Sequence, residues 1–291
     1  MKHQIESKNF SVQINEVGAE LCSFKSKKSG LEFVWQGDTE IWASTAPVLF
    51  PIIGALKNGV YSHKGMAYSI PKHGFIRYNE NLVVQHVSEN EMTFSYASNE
   101  ELKKEYPFDF KFEISFSLMD NVLVVSHQVT NIGKSQMLFS LGGHPAFNCP
   151  MLPHEKYSDY YLEFDQKQTL STPVLSTNGL LTDVAFEVVS DTNRINLSED
   201  LFANDALIFK DIQSKKVSLK SKNHDHRVTV TYPDFKNLGV WAKHKAPFVC
   251  MEPWLGVTDP EQTTGVFKDK EGIISLSEGE KYQAKFSIEI N

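Results

Sequence analysis

Four polar side chains interrupt apolar, strand-like stretches of this 291-residue chain: His73 in Pro71-Lys72-His73-Gly74, His144 in Gly142-Gly143-His144-Pro145, Asp205 in Asn204-Asp205-Ala206, and Glu252 in Cys250-Met251-Glu252-Pro253-Trp254. Gly142 and Gly143 free the backbone and Pro145 withholds a ladder donor, so a strand should end there and hold His144 at its rim. A histidine held that way is suited to proton transfer near neutral pH, the bland alternative being a ring that only hydrogen-bonds a turn. Glu252 follows the apolar run 248–251 and precedes Pro253 and Trp254, and a carboxylate in such company must find a partner or hold its proton more tightly. The other positions have ordinary readings as well: His73 as a turn residue beside Gly74, Asp205 as a cap, and Arg77 as a surface charge or half of a salt bridge.

The elements that must position these groups read as strands. Residues 110–118 show the clearest period of two, with Phe110, Phe112, Ile114, Phe116 and Leu118 on one face. Residues 122–130 and 137–141 follow, predicting three consecutive antiparallel strands that lead into the His144 stretch. Hairpins are expected at 60–63 with 66–70 and at 81–86 with 91–96, after strands at 10–14, 18–24 and 31–35. Pro47 and Pro51 mark an irregular segment at a rim. Further short strands are expected at 160–164, 217–220, 227–232, 238–242, 248–252, 273–276 and 282–290, and helical turns only at 99–106 and 259–264. With no linker, repeat or composition shift, residues 1–291 read as one domain, an all-β, large antiparallel β-sandwich.

Composition excludes several classes of function. The 29 Lys and Arg against 36 Asp and Glu give a net charge of -7, which offers no global attraction to nucleic acid or an anionic membrane. No apolar run approaches the ~20 residues that span a bilayer, and residues 1–6 lack a signal-peptide core, so the expected location is the cytoplasm. Cys22, Cys149 and Cys250 are odd in number and widely separated, which suits small buried apolar groups better than disulfides or a zinc knuckle.

Taken in order and spacing, Gly18-Ala19-Glu20-Leu21, Pro47-Val48-Leu49-Phe50-Pro51, Lys72-His73-Gly74-Phe75, the stretch 142–147 and the stretch 250–256 resemble the aldose 1-epimerases, or galactose mutarotase-like proteins, and within them the LacX-like branch. The match covers essentially the whole chain. It implies a β-supersandwich with a sugar cleft on one sheet, Glu252 as general base, His144 as general acid, and His73 and Asp205 as groups that hold the sugar. Mutarotation removes the proton of the anomeric hydroxyl, protonates the ring oxygen, allows rotation about C1–C2 and recloses the ring, so one base and one acid suffice. No metal or redox cofactor is called for, and no dinucleotide fingerprint or P-loop is present. Trp241 and Trp254 are able to offer an apolar face to the sugar, a core role being the alternative for at least one of them, and Arg77 is the most obvious cation near the cleft.

The expected partner is a small-molecule sugar, with no nucleic acid or membrane, and the protein itself a monomer or homodimer. One departure stands out: relatives of this branch commonly carry an arginine after Pro-Ile-Ile-Gly, where this chain has Ala55, and Lys57 does not reproduce a planar guanidinium. Three rival readings remain open. They are a non-catalytic carbohydrate-binding or sensing protein, a glycoside hydrolase using Asp205 and Glu252 at a separation of roughly 5–9.5 Å, and a metal site made by His73, His144 and Glu252.

Overall fold

Phe110–Met119 buries every second residue, as an extended strand with one solvated face must. It pairs antiparallel with Val122–Asn131, which alternates in the same way. The structure is a computed structural model that describes residues 1–291, the side chains of residues 86 and 87 excepted. These two strands lie within a nine-stranded antiparallel sheet. Its order is Leu181–Asn196, Tyr160–Leu175, Lys216–Ser221, Arg227–Thr231, Lys281–Ile290, Val122–Asn131, Phe110–Met119, Glu91–Ala97 and Val83–Val87.

The second sheet runs Leu207–Phe209, Asn237–Trp241, Phe248–Trp254, Gly142–Gly143 and Val48–Leu49, with Ala146–Asn148 also paired to Phe248–Trp254. Phe248–Trp254 is buried at every position, which marks a central strand covered on both faces. Gly143 lets the two sheets touch: a Cβ there would stand 2.8 Å from the ring of Phe286 on Lys281–Ile290. The expected all-β antiparallel sandwich is therefore the fold, and no α-helix occurs among the described residues. No helix among them is long and apolar enough to cross a membrane. All three cysteines are buried and free.

Four local expectations need correction. Residues 31–35 form no strand and make only isolated bridges, Glu32 with Lys25 and Val34 with Phe147. Met137–Phe139 does not extend the 110–131 hairpin but pairs with Ile274–Leu276, because Lys281–Ile290 takes the free edge of Val122–Asn131. The buried Asn131 side chain redirects the chain, donating to the carbonyls of Ser135 and Leu276 and accepting from the Gly133 N–H. The strand starting at Tyr160 continues to Leu175 and pairs with Leu181–Asn196, a partner absent from the sequence reading. That partner is an edge strand, mostly solvated, and so carries little apolar alternation. Residues 259–264 form no helix; the short 3₁₀ turns in these regions are Leu102–Lys104 and Phe267–Asp269.

Candidate active site

Period two along Phe248–Trp254 sends Cys250, Glu252 and Trp254 to one face. Gly142 pairs with both Trp254 and Leu49, so the strand that ends in His144 is fixed beside that face. His73 and Asp205 reach it from loops through left-handed backbone, with φ of 66° and 78°. This region is reached more readily by His and Asp than by most side chains. His73 is held there by the Gly54 N–H, which donates to its Nδ1 at 3.2 Å. The Asp205 carboxylate accepts the Ala206 N–H at 2.8 Å. Arg77 follows His73 into the 3₁₀ turn Ile76–Tyr78 and donates from Nη2 to Ser44 Oγ at 3.0 Å.

Glu252, His144, His73, Asp205, Arg77 and Trp241 all line one cleft of about 310 Å³, a volume suited to a monosaccharide. Trp42, Lys72 and Thr258 line it too and were not singled out in the sequence. The Trp42 indole lies 5.2 Å from the His144 ring and edge-on to Trp241 at 5.4 Å, and Trp35 Nε1 donates to the Trp42 carbonyl at 2.9 Å. With Trp254, three of the four tryptophans of the chain face this space. Lys72 was legible as the neighbour of His73 in one motif, whereas nothing near Trp42 in sequence announced its contact with a residue about a hundred positions away. Ala55 is not among the lining residues: its N–H donates to Thr258 Oγ1 and its carbonyl accepts the Asp259 N–H, both at 3.0 Å.

At the floor of the cleft His144 Nε2 lies 3.1 Å from Glu252 Oε2, with the two side chains 9% and 1% exposed. The approach is close enough for proton exchange but is not aligned as a hydrogen bond, and Glu252 Oε2 and His144 Nδ1 lack hydrogen-bond partners. Burial pushes the Glu252 carboxyl well above the usual carboxylate range, with Lys72 opposing and Asp205 adding to it. Burial, with Arg77 and Lys72, draws His144 down to about 3. His73 also falls well below its ordinary value, through burial first and then the neighbouring His144. Desolvation therefore favours a pair with no net charge and one exchangeable proton.

The metal reading of His73, His144 and Glu252 is not the donor set that forms. The groups that converge are His144, Cys250 and Glu252, while His73 Nδ1 is occupied by the Gly54 N–H.

The β-sandwich is the fold shared with galactose mutarotase-like proteins. The chain belongs to the aldose 1-epimerase family, whose pattern it matches over residues 1–289. It is 33% identical over 279 residues to the chromosomal protein LacX of Lactococcus lactis subsp. lactis, covering 93% of each chain. Among solved structures it is similar to the galactose mutarotase related enzyme from Lactobacillus acidophilus, at 36% identity and a TM-score of 0.94 over 100% of this chain and 97% of that one. A galactose mutarotase-like protein from Lactobacillus casei ATCC 334 gives 31% identity and a TM-score of 0.93 over 100% of both chains.

Proposed function

We propose that the protein is a cofactor-independent aldose 1-epimerase that interconverts the α and β anomers of an aldohexose or a related sugar. The observation that carries this reading is the buried His144–Glu252 contact of 3.1 Å opening into the cleft. Binding alone needs no acid beside a base.

In the working pair one proton is shared. In its ion-pair form Glu252 takes the proton of O1 while His144 gives one to the ring oxygen; C1–C2 rotates in the open aldehyde, and closure reverses both transfers. Lys72 and Arg77 favour the carboxylate form of Glu252 against the burial that opposes it. His73 and Asp205 hold sugar hydroxyls, and the Trp42 and Trp241 rings cover an apolar sugar face.

The test is polarimetry or NMR exchange on freshly dissolved α-glucose and α-galactose with purified protein. Anomer exchange faster than in buffer is expected for at least one sugar. Saturable sugar binding without acceleration would instead make the protein a carbohydrate-binding module.

A further inference from the structure

Cys250 precedes Glu252 by two residues on Phe248–Trp254, so its side chain leaves the strand on the carboxylate's face. Ring opening makes no use of it. Yet Cys250 Sγ, a His144 ring nitrogen and a Glu252 carboxylate oxygen all lie within 4.8 Å of one another. All three side chains are buried, and Glu252 Oε2, with its residue 1% exposed, has no hydrogen-bond partner.

We infer that His144, Cys250 and Glu252 form a site for a thiophilic divalent cation of the zinc type, and that its occupancy reversibly blocks the isomerisation by engaging the acid and the base together. One nitrogen, one sulfur and one oxygen ligand make a mixed set that zinc accepts, and three protein ligands leave a fourth position open. His144 and Glu252 line the cleft while Cys250 lies behind them, 0% exposed, so a cation would enter from the cleft side. Loading releases two protons to solvent, the Cys250 thiol proton, which burial and Glu252 hold tightly, and the one shared by His144 and Glu252; the resulting thiolate and carboxylate cancel the charge of the divalent cation, so the loaded site buries no net charge. Magnesium and calcium, which prefer oxygen ligands, gain nothing from the sulfur.

The geometry needs little change. Metal–ligand bonds of about 2.0–2.3 Å set tetrahedral donors roughly 3.3–3.8 Å apart, so with all three donor atoms within 4.8 Å of one another no pair needs to close by more than about 1.5 Å. The backbones that carry the donors are already joined, since Gly142 pairs with Trp254. Lys72 and Arg77, also on the cleft, repel a cation, so binding should be weaker than in a structural zinc centre and open to competition by a chelator.

The experiment titrates Cd²⁺ into the purified chain in chelator-free buffer and follows the ultraviolet thiolate-to-cadmium absorption, with a parallel Zn²⁺ titration of anomer exchange. The absorption should saturate at one cation per chain, and exchange should fall by roughly tenfold or more and recover on adding EDTA, with Mg²⁺ inert. Cys250→Ser and Cys250→Ala should each lose the absorption and keep exchange in the presence of Zn²⁺, while Cys22→Ala and Cys149→Ala behave as the parent chain. Absence of the absorption, or its persistence in folded Cys250→Ser, would overturn the proposal, and so would Zn²⁺ inhibition that survives that substitution. The absorption requires no catalysis, so its outcome is independent of whether the epimerase reading holds.

Discussion

The Lys270 ammonium lies 2.7 Å from Asp259 Oδ1, with both side chains 3% exposed. From this enclosed pair the cleft wall is tied together. Asp259 Oδ2 accepts the Lys57 N–H at 3.0 Å, and the Asp259 carbonyl accepts the Leu181 N–H at 2.9 Å. Next to it, Thr258 Oγ1 donates to the Gly179 carbonyl at 2.8 Å. Burial lowers the pKa of Lys270 and Asp259 opposes the fall. Lys270→Met would leave a buried carboxylate without its cation, and the expected loss is about 3–5 kcal/mol, read from chemical denaturation. Adding Asp259→Asn should recover part of it; an unchanged stability for Lys270→Met alone would show that water reaches the pair.

Glu252→Gln keeps the shape of the carboxyl and removes its basicity. Anomer exchange should drop by about 10²–10⁴, with sugar binding by calorimetry retained. His144→Asn should behave similarly. Either variant working within a few-fold of the parent would move the chemistry to other residues.

The dependence of exchange on pH follows from the pair. Because His144 is drawn down to about 3, the acid limb should lie below the ordinary histidine value of about 6.5, and activity should persist at about pH 5. Because Glu252 is raised, the basic limb should lie above the ordinary carboxylate value. Arg77 lowers His144, so Arg77→Gln should shift the acid limb upward. A limb that stays in place would separate Arg77 from the acid.

His127 is 2% exposed, and burial lowers it from 6.5 to about 4. The folded state thus resists its protonation more than the unfolded state does. Its contribution is intact above pH 6.5 and is lost as the pH falls toward about 4, reaching about 3 kcal/mol at the acid end. His144 and His73, lowered as well, act in the same direction. His127→Leu should flatten this part of the profile when denaturation midpoints at about pH 7.5 and 5 are compared. An equal loss in parent and variant would place the sensitivity elsewhere.

Residues 110–131 were legible because one face is core and the other solvated, which writes the strand period into the sequence. His144 and Glu252 were legible because each interrupts such a pattern beside glycine or proline. Leu181–Asn196 was not, since most of its side chains meet solvent and only backbone pairing with Tyr160–Leu175 defines it. Cys250 was read as a small apolar group, and it is buried as that reading expects. Its proximity to His144 depends on pairing between segments about a hundred residues apart, which local pattern does not encode. Ala55, the conspicuous departure, alters a residue that supports Thr258 through its backbone instead of facing the cleft.

Trp42, Trp241 and Trp254 all line the cleft, and Trp35 is the only other indole in the chain. The native fluorescence of the protein is therefore concentrated where a ligand would sit. A sugar that displaces water from these rings changes the surroundings of most of the emitting groups at once, so occupancy can be followed on the unlabelled chain whether or not turnover occurs.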